Sequence, residues 1–177
     1  KTDPVKKSAI EKLYKSLNDG NPARDVSLTD EEKEAMRDLF LLSNKPEIIV
    51  LNIDEDIYNP QGIIEVSKKY AQSLNQPQEK FVVICAKIES DLSELAAEEQ
   101  LEYLRGLNLT QSGLEQLIQK SYQTLGLISF LTCGQKEVKA WTIKKGITAQ
   151  MAAGEIHTDF IKKFIKAEVI SFADFVE

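Results

Sequence analysis

The sequence predicts a mixed α/β chain, and two stretches carry this prediction. Between residues 46 and 84, two continuous apolar runs flank a helical pattern, which is the order of a strand–helix–strand unit in a parallel sheet. Between residues 127 and 172, runs of β-forming residues surround an Ala-rich helix in the order strand, strand, helix, strand. Helical patterns fill most of the remaining chain. We therefore expect part of an α/β sheet followed by a small β-rich unit.

The first 45 residues predict two antiparallel helices. Residues 5–17 place apolar side chains at helical spacing among lysines, which is typical of an amphipathic helix. The polar segment 18–22 should end this helix. Thr29 and Glu32 then have the spacing of a capping box, which predicts the start of a second helix. The core positions expected on that second helix are Ala35, Met36, Leu39, Phe40 and Leu42.

The next 80 residues predict a βαβ unit followed by two helices. The apolar runs 48–51 and 81–84 should be strands buried on both faces of a parallel sheet, joined by a right-handed crossover through a helix over 60–74. Further helices are expected over 90–104 and 112–125, the last one starting at a second capping box. The core positions expected on the crossover helix are Ile63, Ile64, Val66, Tyr70 and Leu74.

The last 52 residues predict a small sheet with one helix across it. Strands are expected over 127–131 and 138–143, on either side of a Cys-Gly turn, and a third strand over 167–172 after the Ala-rich helix. Trp141, midway along a predicted strand, is either a core residue or a contact residue. The aromatic residues expected to pack against the sheet and helix are Phe160, Phe164, Phe172 and Phe175.

Composition and charge limit the function classes. The chain has 177 residues, a net charge of −6 and 42% hydrophobic residues, the balance of a globular protein. No apolar run reaches the roughly 20 residues that span a bilayer, so no membrane partner is expected. The two cysteines lie in apolar runs, which suits a reducing cytoplasm. Residues 1–125 carry 15 Lys and Arg against 22 Asp and Glu, whereas residues 126–177 carry 7 Lys against 6 acids, so only the tail could contact RNA.

Two motifs in the tail point to a known family. The run K-E-V-K-A-W-T-I at 136–143 and the run A-A-G-E-I-H-T-D-F at 152–160 resemble the TGS module of the Obg-like, ribosome-binding ATPases, the YchF group. The resemblance implies a partial P-loop GTPase-type sheet with a helical insertion, followed by an incomplete β-grasp (TGS, ubiquitin-like) domain. Residues 1–45 would be the second half of the insertion, 46–125 the C-terminal part of the nucleotide-binding domain, and 126–177 a TGS domain without its last strands. The chain is then expected to be truncated at both ends.

Two short segments are candidates for a purine-binding site. N-I-D-E at 52–55 and C-A-K at 85–87 follow the two predicted strands, and ligands of open α/β sheets bind at the carboxyl ends of strands. The first segment departs from the guanine-reading pattern N-K-x-D, whose Asp accepts hydrogen bonds that adenine cannot donate. N-K-P-E at 44–47 precedes its strand, which excludes it on geometry. The resemblance implies an adenine-binding role for Asn52, Ile53, Asp54, Ala86 and Lys87. Alternatively, Asn52 only holds its own loop.

The sequence lacks the residues that would hydrolyse a nucleotide. No G-x-x-x-x-G-K-[ST] motif occurs, so no phosphate-binding loop is predicted. The resemblance implies ATP and Mg²⁺ as cofactors, with the catalytic residues and the Mg²⁺ ligands upstream of Lys1, so this chain alone should be inactive. Cys85, Cys133 and His157 are too far apart in sequence to have the spacing of a metal site.

The resemblance also implies a ribosomal partner, with ribosomal RNA or tRNA as the contacted nucleic acid. The candidate contacts are His157, Lys144, Lys145, Lys162 and Lys163. His157 is alternatively a helix-end residue bonded to the backbone. Two other functions stay open: a nucleotide-independent adaptor that binds protein or RNA, and an enzyme of the same fold that uses GTP.

Overall fold

The strands form two separate pairs, one parallel and one antiparallel. The computed structural model describes residues 3–134 and 137–176. Within them, β1 (Ile49–Asn52) pairs with β2 (Phe81–Ile84), and β3 (Leu127–Cys133) pairs with β4 (Val138–Lys144). The helices of the described residues are α1 (Pro4–Asn18), α2 (Asp30–Ala35), α3 (Pro60–Ser73), α4 (Ala86–Ser93), α5 (Ala97–Gly106), α6 (Gly113–Leu125), α7 (Ala149–Ile156), α8 (Thr158–Lys163) and α9 (Phe172–Val176). The predicted mixed α/β class is confirmed.

The first two helices pack around a small apolar cluster. α2 begins at the predicted capping box, where the Thr29 hydroxyl accepts from the Glu32 N–H at 3.2 Å and the Glu32 carboxylate accepts from the Thr29 N–H at 2.9 Å. The cluster that α1 and α2 share with the connecting segment consists of Ala9, Leu13, Ala23 and Met36.

The prediction that the second helix continues through Leu42 is wrong. α2 ends at Ala35, and Phe40 adopts a left-handed backbone conformation with φ of 46°. This turn brings Leu41 against the apolar cluster and leaves Phe40 and Leu42 each 80% exposed. The helical spacing of apolar residues predicted a longer helix. The chain leaves the helix instead because Leu41 packs on a distant segment, and such tertiary packing overrides local helix propensity.

Glu32 is a buried carboxylate, and it makes the helix pair sensitive to acid. It is only 5% exposed, and it accepts hydrogen bonds from Lys12 Nζ at 2.7 and 2.8 Å and from Ser8 Oγ at 2.9 Å. The bonds from Lys12, from the Thr29 backbone and from Ser8 lower the pKa of Glu32 from 4.5 to about 2. A depressed folded-state pKa stabilises the fold above the unfolded pKa. That stabilisation is lost as the pH falls from 4.5 towards 2.

We therefore expect Glu32→Gln to weaken the acid dependence of unfolding. In the native chain, the thermal unfolding midpoint followed by circular dichroism should fall as the pH drops below about 4.5, because protonation breaks the pair with Lys12. In Glu32→Gln the midpoint should be lower at neutral pH and should change less over that range. Glu31→Gln is the matched control, since Glu31 is exposed and adjacent. Equal acid profiles for the two variants would contradict the role of Glu32.

The predicted βαβ unit is confirmed as a parallel pair with a helical crossover. Ile49 lies opposite Phe81 and Asn52 opposite Ile84. The prediction that both strands are buried on both faces holds for β2 but is wrong for β1, where Val50 is 42% exposed. The reason is that α3 and α6 both pack against β2. β1 has one neighbouring strand within the described residues.

The crossover helix buries the predicted face only in part, since Ile63 packs against the main core as expected. α3 matches its predicted limits, but its buried residues are Ser67 and Ala71. Ile64, Tyr70 and Leu74 are 55%, 42% and 50% exposed, so their assignment to the core is wrong. The small side chains of Ser67 and Ala71 let the helix approach β2 closely. The size of the apolar side chains in the sequence does not indicate which face of the helix makes this approach.

The segment after β2 contains two helices where one was predicted over 90–104. α4 begins at Ala86, directly after the strand, and ends at Ser93, and α5 begins at Ala97. The break is stabilised where the Glu99 carboxylate accepts from the Ala96 N–H at 3.0 Å. Breaking the helix lets both pieces contribute to the main core, which consists of Tyr58, Cys85, Ile88, Leu92, Leu104 and Leu109.

The tail contains the predicted hairpin and Ala-rich helix, but the prediction of a third strand is wrong. Within the described residues, no strand lies over 167–172; α9 begins at Phe172, and Val169 is 86% exposed. A run of β-forming residues becomes a strand only when a partner edge accepts its backbone hydrogen bonds. Phe160, Phe172 and Phe175 are 46%, 69% and 57% exposed, so their predicted packing is wrong too. Lys136 of the tail motif lies outside the described residues.

Candidate purine-binding site

The end of β1 and the start of α4 lie side by side. Asn52 is the last residue of β1, and its Oδ1 accepts a hydrogen bond from the Ala86 N–H at 2.9 Å. The Ile53 N–H donates to the Ile84 carbonyl at 2.9 Å, so the backbone keeps the two segments together beyond the strands. The two segments that sequence reasoning selected therefore form one edge.

A second cross-link joins the same two segments. Lys87 Nζ donates to Glu55 Oε1 at 2.5 Å, and the two side chains are 64% and 43% exposed. This hydrogen bond is the main cause that raises the pKa of Lys87 above its ordinary value. The ammonium group and the carboxylate are both accessible to a ligand.

The remaining predicted residues have different surroundings. Ile53 packs against the main core through its side chain, so it can offer a ligand only its backbone. Asp54 is exposed, and its carbonyl accepts from the Ile57 N–H at 3.3 Å in a short 3₁₀ turn. The Asn52 bond to Ala86 is also the bond that a residue holding its own loop would make. The base-binding role of these residues therefore stays a prediction.

The floor beneath this edge was not anticipated from the sequence. Tyr58 is fully buried, and burial, followed by the nearby Glu89 and Cys85, raises the pKa of its hydroxyl to about 12. Glu89 of α4 accepts a hydrogen bond from the Gly113 N–H at 2.7 Å, which ties α4 to the start of α6. The available signal was Gly113 at the start of a helical pattern, since such a glycine often marks close packing and a Cβ atom there would lie 2.8 Å from the Tyr58 hydroxyl oxygen.

The candidate edge is an open shelf. Two cavities of the described residues lie elsewhere, one beside Gln111 and Ile118 and the other beside Met36 and Phe40. The excluded motif at 44–47 lies at the opposite end of β1, where Glu47 pairs with Arg24 and Lys80. An exposed shelf can read a base edge, although it cannot enclose a whole nucleotide.

The candidate RNA contacts are all exposed in the tail. His157 separates α7 from α8, and its Nδ1 accepts from the Asp159 N–H at 3.2 Å, as expected of a helix-end residue. Its side chain is 62% exposed, so this bond leaves the ring accessible. The lysines occupy the end of β4 and the end of α8; they are Lys144, Lys145, Lys162 and Lys163.

Comparison with known proteins matches nearly the whole chain. Residues 127–177 match the family described as "YchF-GTPase_C: Protein of unknown function (DUF933)". A protein of Bacillus subtilis named "Ribosome-binding ATPase YchF" is 42% identical over 168 residues, which are 93% of this chain and 45% of that protein. The protein of the same name from Escherichia coli O157:H7 is 38% identical over 96% of this chain and 46% of its own length.

A solved structure agrees with the sequence matches. "Structure of the Schizosaccharomyces pombe YchF GTPase" superposes with a TM-score of 0.78 at 34% identity, over 90% of this chain and 43% of that one. The chain belongs to the YchF family. The resemblance inferred from the tail motifs is thus confirmed.

This YchF-family chain spans about half the length of the relatives it matches. The relatives' names specify an ATPase in two cases and a GTPase in one. Among the residues that the structure describes, no helix is long and apolar enough to cross a membrane. Over the same residues, no group of three His, Cys, Asp or Glu side chains could hold a metal ion.

Proposed function

We propose that this chain is part of a cytoplasmic, ribosome-associated nucleoside triphosphatase that binds and hydrolyses ATP in preference to GTP. In this proposal, residues 46–125 belong to a P-loop GTPase-type domain, residues 1–45 to its helical insertion, and residues 126–177 to a β-grasp TGS module. The names of the relatives support the class of enzyme and the ribosome as partner. The observation that carries the proposal for this chain is the contact between Asn52 and Ala86, because it forms one edge from two distant segments.

The chemistry of that edge suits adenine. The Asn52 carbonyl oxygen is occupied by the Ala86 N–H, and its amide NH₂ has no acceptor within the described residues. A free amide donor can bond to a ring nitrogen of adenine. The phosphates and Mg²⁺ would be held by other parts of the whole protein, where we propose that the hydrolytic residues also lie.

The tail would supply the contact with the ribosome. The exposed lysines at the ends of β4 and α8 belong to the same tail as His157, whereas residues 1–125 are acidic. Contacts with RNA phosphates come mainly from Lys and Arg, so this local basic surface is where ribosomal RNA or tRNA would bind. Binding would depend on salt concentration for the same reason.

The test is titration of labelled ATP into the full-length protein that contains this chain. Asn52→Ala should weaken ATP binding by roughly tenfold or more, because it removes the amide donor of the edge and frees the start of α4. Asn52→Asp is the sharper variant, since its carboxylate can still accept from the Ala86 N–H at a helix N-terminus but has no NH₂ group. It should keep the unfolding midpoint and still lose affinity.

Asn44→Ala is the matched control, since Asn44 is an exposed asparagine of the excluded motif and should leave ATP binding unchanged. A purely structural Asn52 would give the opposite result, with Asn52→Asp binding ATP normally. Absence of saturable ATP binding in the unaltered protein would favour the adaptor, in which this sheet is only a scaffold. Competition between ATP and GTP decides the nucleotide.

A further inference from the structure

We propose that Lys87 determines which purine this edge accepts, because it occupies one oxygen of the Glu55 carboxylate. The proposal rests on the proposed function, in that it requires a purine at the Asn52 edge. Lys87 and Glu55 are 32 residues apart in sequence, and the bond between Lys87 Nζ and Glu55 Oε1 measures 2.5 Å. Ala86, which donates to Asn52, directly precedes Lys87 in the chain, so both cross-links lie at the same edge.

The two cross-links set the pattern of hydrogen-bonding groups that a base would meet. Asn52 has its oxygen occupied by Ala86 and retains a donor, the NH₂ group. Glu55 Oε1 accepts from the Lys87 ammonium, whereas Oε2 has no hydrogen-bond partner within the described residues. A base that contacts both Asn52 and Glu55 would therefore meet one amide donor and one carboxylate oxygen that has no donor on it.

This pattern discriminates between the two purines. Guanine presents two neighbouring donors, its ring N–H and its 2-amino group, which require both oxygens of a carboxylate. Adenine presents one amino donor beside an acceptor ring nitrogen, which matches one carboxylate oxygen and one amide NH₂. Lys87 thus acts against guanine because its ammonium is itself a donor and lies at the carboxylate oxygen that guanine's second donor would need. Specificity is often obtained by such a repulsive contact.

The test compares AMP and GMP, titrated separately into the full-length protein that contains this chain and followed by ¹H–¹⁵N NMR of residues 52–55 and 85–87. AMP and GMP carry the same phosphate group. An attraction of that phosphate to Lys87 would therefore change both affinities equally and leave their ratio unchanged. Lys87→Met keeps the chain length and helix propensity of the side chain but removes its charge. We expect this variant to raise GMP affinity relative to AMP by about tenfold, the value of one charge-assisted hydrogen bond.

Two further variants complete the test. Lys68→Met, on an exposed position of α3, should leave the ratio unchanged. Adding Glu55→Gln to Lys87→Met should abolish the gain for GMP, because the freed carboxylate is then absent. An unchanged ratio in Lys87→Met, with both nucleotides bound, would overturn the role of Lys87 and leave the purine site standing. No nucleotide-dependent shift at these residues in any variant would overturn both the purine site and the role of Lys87, and a preference of the unaltered protein for GMP would overturn both the present inference and the proposed preference for ATP.

Discussion

Replacing Ile88 with alanine should lower the free energy of unfolding by about 4 kcal/mol. Ile88 is 1% exposed and lies in the main core with Tyr58, Cys85, Leu92 and Leu104. The substitution removes apolar atoms from water-excluded contacts and leaves a cavity that neighbouring strands and helices fill only in part. Because Ile88 follows Lys87 in α4, loosening this helix should also weaken ATP binding by the whole protein. Urea unfolding followed by circular dichroism measures the first effect, and ATP titration the second.

Two controls separate core packing from helix propensity. Ile88→Val removes one methylene group and should cost only about 1 kcal/mol. Ile64→Ala makes the same change as Ile88→Ala on α3, where the side chain is 55% exposed, so it should alter stability by less than about 1 kcal/mol. If Ile64→Ala and Ile88→Ala were equally destabilising, the core described above would be wrong.

Replacing Gly62 with alanine should destabilise the chain by about 3 kcal/mol. A Cβ atom at this position would lie 2.0 Å from the Ile57 carbonyl oxygen, and that atom is backbone, so α3 or the turn before it must move. The Gly62 N–H is also bonded to Asn59 Oδ1 at 3.0 Å, which fixes the first turn of α3 in this place. The unfolding midpoint should therefore fall by roughly 6 to 12 °C, as measured by differential scanning calorimetry.

Gly106→Ala is the control for this substitution. Gly106 is also a helical glycine, at the end of α5, but a Cβ atom there would meet no atom within 4 Å. Alanine at an unstrained helical position should be neutral or stabilising by up to about 1 kcal/mol. Opposite signs for the two variants are expected, and equal losses would show that close approach to Ile57 is not the cause.

Both variants affect the candidate edge because it rests directly on this packing. Ile57 belongs to the turn that follows Asp54, and Ile88 belongs to the helix that begins at Ala86. The positions of Asn52 and Lys87 therefore depend on residues that touch no ligand. Ile88→Ala and Gly62→Ala would weaken ATP binding by displacing the elements that carry Asn52 and Lys87. Asn52→Asp and Lys87→Met would instead change the groups that contact the base.

Local patterns were reliable where neighbours in sequence make the decisive contacts. The capping boxes at Thr29 and Ser112 were predicted correctly because each joins residues three positions apart. The parallel strands and the β3–β4 hairpin were also predicted, since continuous apolar runs and β-forming residues suit few other structures. The tail motifs likewise identified the family correctly.

Patterns failed where a segment depends on a distant one. The buried face of α3, the end of α2 at Ala35 and the absence of a strand over 167–172 within the described residues all depend on what lies opposite each segment. Apolar periodicity indicates which residues could be buried, but burial requires a surface that covers them. Ile64 and Val169 are apolar and yet exposed, because no other segment covers them within the described residues.

By itself, the sequence determined the four strands, the crossover helix, the capping boxes and the family, because these follow from patterns within a few residues or from the tail motifs. Only the tertiary structure decided that Asn52 bonds to Ala86 and Lys87 to Glu55, pairs that are 34 and 32 residues apart. Packing of α3 and α6 on β2 determines where those side chains meet, and that packing is a sum over many distant contacts that no short stretch of sequence contains.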